Sequence, residues 1–280
     1  MAALNNKIDF VALVSVTKAN SNGDPLTGNR PRTDYNEMGE ISDVCIKRKI
    51  RNRMQDLGYA VFVQSDDRAD DGAKSLKERA KDFEKIKSES EFAQKACGKW
   101  LDVRSFGQVF AFKGYNCASV GVRGPVSVHQ AVSLDPVDVI SMQITKSVSG
   151  DRKDDTKRSS DTMGQKHFVR FGLYKIKGSI NVQLAEKTGF STDDANVVKE
   201  CLRTLFLNDA SSARPEGSME VVRLYWFEHN CKDGQYSSAE VHRSVEIKRK
   251  DGIDFPTSAD DYDIRLMELP GLKVDELKGL

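Results

Sequence analysis

Residues 7–17, KIDFVALVSVT, are apolar at odd and even positions alike and rich in β-branched side chains. Successive strand residues point to opposite faces. A run that is apolar on both parities therefore reads as a central strand buried on both sides. The stretch that follows is its opposite. Residues 19–34, ANSNGDPLTGNRPRTD, hold three Asn, two Gly, two Pro, two Arg and two Asp in sixteen positions. Each turn former acts through its own backbone mechanism, and a simple turn needs about four residues. So long a polar, partly basic loop directly after a buried strand asks for a reason.

Three readings compete for the loop. It can be an ordered surface loop. It can be an anion cradle, in which Gly23 and Gly28 let backbone N–H groups approach a phosphate while Arg30 and Arg32 supply charge. It can be the site of a metal-dependent hydrolase with Asp24 and Asp34 as ligands or base. The chain contains no Walker A or GxGxxG pattern, which disfavours nucleotide hydrolysis.

The next segment, ISDVCIKRKIRNRMQDLG (41–58), reads as a helix. Ser42 suits the N-cap and Gly58 the C-cap, and Ile46, Ile50, Met54 and Leu57 form an apolar stripe. Between Asp43 and Asp56 it carries Lys47, Arg48, Lys49, Arg51 and Arg53 with no acidic residue among them. Lys47 and Arg51 are four apart and share a face. Like charges so placed cost a few tenths of a kcal/mol per pair. An anionic partner would offset that, and a basic loop joined to a basic helix describes a polyanion track.

Further along, YAVFV (59–63) reads as a second strand. Residues 64–99 are strongly charged, with a thin stripe of Leu76, Ala80, Phe83 and Ile86, and read as a helical insertion packed lightly on the body. From Trp100 to Thr145 the pattern is β-rich. Residues 146–166 have one large apolar residue, Met163, and no periodicity. Strands resume over 167–186. A helix capped by Ser191, with Asp194 three later and a stripe of Ala195, Val198, Leu202 and Leu205, leads to a last strong strand at 219–229. Stripped of insertions, the order β, α, β, β-rich section, α, β matches an α+β, RRM-like (ferredoxin-like βαββαβ) core. Two smaller fragments add little. RSFGQVFAF resembles part of an RNP1 pattern at Arg104, Phe106, Gly107 and Val109. GVRG (121–124) matches a GxxG loop, but its flanks look like strands; Arg123 remains a phosphate-contact candidate.

Composition bounds the partners. In 280 residues, 43 basic and 42 acidic side chains leave a net charge of +1. Any basic surface is local rather than global. Five Cys without a CxxC pair read as reduced thiols. The four His offer no metal spacing beyond His229 beside Cys231, so neither metal nor cofactor is expected. The N-terminal apolar run is too short for a signal segment or a membrane span, so a soluble cytoplasmic protein is expected.

The loop and helix together, ANSNGDPLTGNRPRTD followed by ISDVCIKRKIRN, closely resemble the signature of the Cas-seven family. Those proteins are backbone subunits of type I CRISPR interference complexes (Cascade). DVRSFGQVFAF, GPVSVHQAVSLDPV and KHFVRFGLYKIKGSINVQLAEKTGFS resemble its type I-C branch. The resemblance implies an RRM-like palm (1–63, 100–145 and 167–280), helical fingers (64–99) and an extended thumb hairpin or loop (146–166). It implies copies stacked as a helical filament along CRISPR guide RNA, target DNA met through the guide, and other Cascade subunits as partners, with no membrane. Protein would hold backbone shape while base pairing reads sequence. It places RNA contacts at Asn20, Asn22, Arg30, Arg32, Lys47, Arg48 and Arg51. Lys146, Lys157, Arg158 and Lys166 join them from the thumb, with Met163 as an apolar wedge, and Arg104 and Arg123 are weaker candidates. Type III relatives cleave RNA with an Asp in the loop after the first strand. The NGDP context of this loop belongs to the non-cleaving type I members, so no catalysis is expected.

Overall fold

The computed structural model describes residues 2–145 and 163–280. In chain order its main elements are β1 (Ile8–Ala19), β2 (Met38–Ile41), α1 (Asp43–Asp56), α2 (Glu89–Lys99), α3 (Leu101–Phe106), β3 (Gly107–Phe110), β4 (Val120–Arg123), β5 (Val126–Val128), β6 (Ala131–Pro136), β7 (Val139–Thr145), β8 (Met163–Ile180), α4 (Val182–Thr188), α5 (Thr192–Arg203), β9 (Met219–Glu228), α6 (Ser238–Ser244), β10 (Val245–Arg249), β11 (Tyr262–Leu266) and β12 (Lys273–Lys278).

β1 lies inside an eight-stranded sheet of order β12-β9-β1-β8-β6-β2, with β5 and β7 also paired to β8. The pairings within it are antiparallel. The two-sided apolar pattern of β1 is borne out. Phe10, Ala12, Val14 and Val16 pack with Ile46, Ile50 and Met54 of α1 and with Ala195, Val198 and Leu202 of α5. Val11 and Leu13 point the other way, into a cluster with Val241, Val245 and Tyr262 from the C-terminal elements. Each such side chain, fully buried, contributes about 1.5–3 kcal/mol relative to exposure. Leu57, expected in the α1 stripe, is exposed at the helix C-cap. Ser42 caps α1 and Ser191 with Asp194 forms a reciprocal capping box on α5, as the spacing predicts.

Four expectations need correction. Residues 59–63 are not a strand. The N–H groups of Phe62 and Val63 donate to the Asp102 carboxylate at 2.7 and 3.1 Å, and Arg79 donates to the Phe62 carbonyl at 2.9 Å. Side chains thus satisfy the backbone that a sheet ladder would otherwise hold. Trp100 opens α3, not a strand, and α3 packs against α2. Residues 182–186 belong to α4, whose N-cap Asn181 accepts from the Leu184 N–H at 2.8 Å. The strand over 219–228 is not the last, since β10, β11 and β12 follow and β12 pairs with it. Part of the charged 64–99 segment builds a core of its own, in which Phe83 and Phe92 join Phe62, Trp100 and Phe110. Ring centroids there lie 4.7–5.1 Å apart for Phe62–Trp100, Phe83–Trp100 and Phe92–Phe110.

Candidate nucleic-acid interface

The loop after β1 is held in one conformation by its own polar side chains. Asp24 caps a short turn over Pro25–Thr27 by accepting from the Leu26 N–H at 3.2 Å. Gly28 and Asn29 then take consecutive left-handed conformations, φ 67° and 63°, which reverse the chain. Gly23–Asp24 and Arg30–Pro31 pair across that reversal. Asn20, buried at 4% exposure, donates from Nδ2 to the Asn29 carbonyl at 2.7 Å. Asn22 Oδ1 accepts from the Ser42 N–H at 2.9 Å, and Ser42 Oγ accepts from the Cys45 N–H. One asparagine therefore closes the loop and the other fixes it to the start of α1. The loop also covers Tyr174 of β8, whose hydroxyl lies 3.5 Å from Ser21 Oγ; burial pushes that phenol up to about 12.

This frame presents Arg30 and Arg32. Arg30 is exposed and its Nη1 donates to Ser141 Oγ of β7 at 2.6 Å; Ser141 Oγ lies 2.9 Å from His167 Nδ1 of β8. Arg32 reaches Asp24 at 3.3 Å, and among the described residues its buried Nε has no hydrogen-bond partner, as is also true of Asn20 Oδ1. Arg30 thus sits at the base of the β7–β8 hairpin, whose outer residues Met142 and Ile144 are exposed.

The α1 cations are placed differently from the sequence expectation of an unrelieved positive face. Lys47 pairs with Asp43 at 3.0 Å, and Arg53 meets Asp56 at 2.6 Å. Lys49 is buried and paired with Asp209. Arg51 Nε donates to Asp102 at 2.9 Å with its guanidinium over the Phe106 ring. Arg48 donates to the Val63 carbonyl at 2.6 Å, and burial followed by the nearby Arg51 charge lowers its pKa. Carboxylates distant in sequence, and the acids at the helix ends, offset the repulsion that the sequence left open. On α1, Lys47 is more accessible than Arg51, which is largely enclosed.

The remaining candidates scatter. Arg104 is locked to both oxygens of Asp194 at 2.9 and 2.8 Å, tying α3 to the α5 cap. Its RNP1-like fragment crosses the end of α3 into β3, outside the large sheet. Arg123 is exposed at the end of β4, beside Lys7 and Lys232. In the GVRG fragment, a side chain on Gly121 would meet open space. A Cβ on Gly124 would lie 2.3 Å from the Ser105 carbonyl and 2.4 Å from the Gly107 N–H nitrogen. The second glycine is therefore a packing requirement of the α3–β3 corner. Met163 and Lys166 lie in β8; Lys146, Lys157 and Arg158 lie outside the described residues. Both loop aspartates have turn roles, since Asp34 Oδ1 accepts from the N–H groups of Asn36 and Met38 at 2.8 and 2.9 Å. His229, next to Cys231, is engaged by Asp9 at 2.8 Å and by the Gln235 N–H at 3.1 Å. Among the described residues no helix is long and apolar enough to cross a membrane. What sequence reading missed is Ser141 and His167, which carry no motif and reach the loop only through the hairpin fold.

A family model described as CRISPR-associated protein Cas7 matches residues 6–267. A CRISPR-associated protein Cas7 of Haloferax volcanii is 22% identical over 260 residues, covering 86% of this chain and 75% of the relative. Among solved structures, a chain of a CRISPR RNA-guided surveillance complex, pre-nicking, is similar with a TM-score of 0.54 at 16% identity, covering 89% of this chain and 84% of that one. A chain of a second CRISPR RNA-guided surveillance complex scores 0.47 at 18% identity, covering 89% and 78%. At these identities the structural likeness is one of fold.

Proposed function

Because the chain belongs to the CRISPR-associated Cas7 family, we propose that it is a non-catalytic backbone subunit of an RNA-guided surveillance complex, of the type I-C kind. Copies line the spacer part of the guide RNA, hold its phosphodiester chain and leave bases free to pair with target DNA. The partners are then guide RNA, further copies of this chain and the other subunits of the complex, in the cytoplasm. The observation that carries this reading is the loop of residues 20–37. Asn20 closes it onto the Asn29 carbonyl, Asn22 ties it to Ser42 at the start of α1, and Arg30 reaches Ser141 at the base of the β7–β8 hairpin. A glycine-containing loop that holds two arginines in a frame fixed by its own hydrogen bonds suits a ligand of repeating negative charge. Lys47 extends the strip onto α1.

In this reading the strands β9, β1, β8 and β5–β6, with α1 and α5 on one face, serve as an RRM-like palm. The aromatic unit around Phe92 and Trp100 serves as fingers, and the β7–β8 hairpin is the arm of a thumb that reaches the next copy. The turn roles of Asp24 and Asp34 support the absence of cleavage, because both carboxylates already serve backbone donors.

The test is the RNA recovered with the protein from cells that carry a CRISPR array. Short RNA of uniform length, together with partner subunits, is expected. Recovery of arbitrary RNA without partners would instead mark a stand-alone single-stranded RNA-binding module. Magnesium-dependent cleavage lost in Asp34→Ala would mark a nuclease.

A further inference from the structure

The sheet face opposite α1 and α5 carries a second cationic feature that the loop does not use. From residue 171 on, odd-numbered residues of β8 point to this face: Phe171 and Leu173 enter the C-terminal cluster, while Lys175 and Lys177 continue past its edge. There they line a cavity of about 470 Å³ with His129, Ser238, His242 and Arg243. Among the described residues no carboxylate contributes to the lining. Asp9 lies 3.9 Å from His242 Nε2, fully buried, and is engaged by Lys7 and His229. The groups are held in place. Lys175 Nζ donates to the carbonyls of His242 and Val245 at 2.8 and 2.7 Å, which leaves one of its three N–H bonds. His242 Nε2 donates to the Gly178 carbonyl at 3.0 Å, and the His129 ring stands edge-on to it at 5.8 Å.

We propose that this pocket binds a phosphate group, at a site separate from the loop after β1. Lys177 and Arg243 join a fixed ammonium and two imidazoles around one cavity, and the carboxylate beside them, the buried Asp9 at 3.9 Å from His242, is already engaged by Lys7 and His229. Placing like charges together without a partner is unfavourable, and a multivalent anion with several acceptor oxygens relieves it better than a single carboxylate does. Burial, and then the neighbouring Lys177, lower Lys175 to about 8. A free phosphate carries multivalent charge on one group, and a nucleic-acid backbone supplies it as successive singly charged phosphodiesters.

Lysine footprinting tests the proposal. The RNA-free protein is treated with an amine-acetylating reagent, and labelling at Lys175 and Lys177 is read by mass spectrometry. The additions are sodium pyrophosphate, a short non-complementary single-stranded DNA, or sodium citrate at matched ionic strength. Several-fold protection of both lysines by pyrophosphate is expected, with none at Lys248 and Lys250. Protection by the DNA as well identifies a nucleic-acid backbone as a source; protection by pyrophosphate alone identifies a free phosphate. In a folded Lys177→Ala/Arg243→Ala variant, pyrophosphate affinity should fall about tenfold or more, since two charge-assisted contacts are lost. Lys177→Arg should retain it. Protection by neither phosphate probe, equal protection by citrate, or unchanged affinity in the double variant overturns the site. Guide RNA recovered with the double variant at the wild-type level is the expected companion result. It keeps a failure here distinct from a failure of the backbone-subunit reading.

Discussion

Arg51 Nε lies 2.9 Å from Asp102 Oδ2, joining α1 to the start of α3 across 51 residues of sequence. Asp102 is fully buried, and the same carboxylate accepts the N–H groups of Phe62 and Val63. It is the junction of the sheet body and the aromatic unit. Asp102→Ala strands a buried guanidinium and two backbone donors, so a loss of about 3–5 kcal/mol is expected. Urea unfolding checks it, and a loss below about 1 kcal/mol would refute the junction.

Arg30 and Arg32 should carry the salt dependence of RNA binding. Each phosphate contact removed lowers the log–log slope by about 0.7 on a single strand. Arg30→Ala with Arg32→Ala should therefore flatten it by about 1.4 in fluorescence anisotropy titrations. Arg104→Ala should leave the slope unchanged and lower stability, because its guanidinium is already bound to Asp194.

The two glycines of GVRG should respond in opposite ways. Gly124→Ala drives a methyl into the Ser105 carbonyl and the Gly107 nitrogen, and a cost of about 1–3 kcal/mol or more is expected. Gly121→Ala enters open space and should stay within about 0.5 kcal/mol. Equal melting temperatures for the two variants would contradict the close approach at Gly124.

Lys175 makes stability depend on pH in a defined direction. Its native pKa is lowered to about 8, first by burial and then by Lys177; in an unfolded chain it is about 10.4. Between those values the unfolded state holds more protons, so the native state gains stability as pH rises. Lys175→Met removes this gain. The stability of the variant minus that of the wild type should fall steadily from about pH 7 to about pH 10. Parallel denaturation curves across that range would exclude the effect.

Local features were legible in the sequence. The double parity of β1, the Ser42 cap and the Ser191–Asp194 box each depend on residues within a few positions, and the structure contains all three. The charge balance of α1 was not legible, because its partners come from 51 and 160 residues away as Asp102 and Asp209. The strand expected over 59–63 failed for the same reason, since a distant carboxylate takes its N–H groups. The loop reads correctly as polar and structured. That Arg30 meets Ser141 is a product of the hairpin and leaves no local trace.

β8 runs unbroken from Met163 to Ile180, and its two halves answer to different partners. Residues 163–169 pair with β7, and residues 169–180 pair with β1. At about 3.3 Å per residue the strand extends roughly 55–60 Å. One continuous beam is thus the spine of the sheet and the arm of the hairpin, with no hinge between them. Load applied to the arm passes straight into the strand beside β1. It also fixes how the arm can change in length: insertions between Thr145 and Met163 leave the β1 register untouched. Shifting β7 against β8 by one residue, by contrast, would exchange the arm's two faces, and a shift of two would restore them. The hairpin end can therefore be lengthened without disturbing the sheet, but only register steps of two keep its two faces in place.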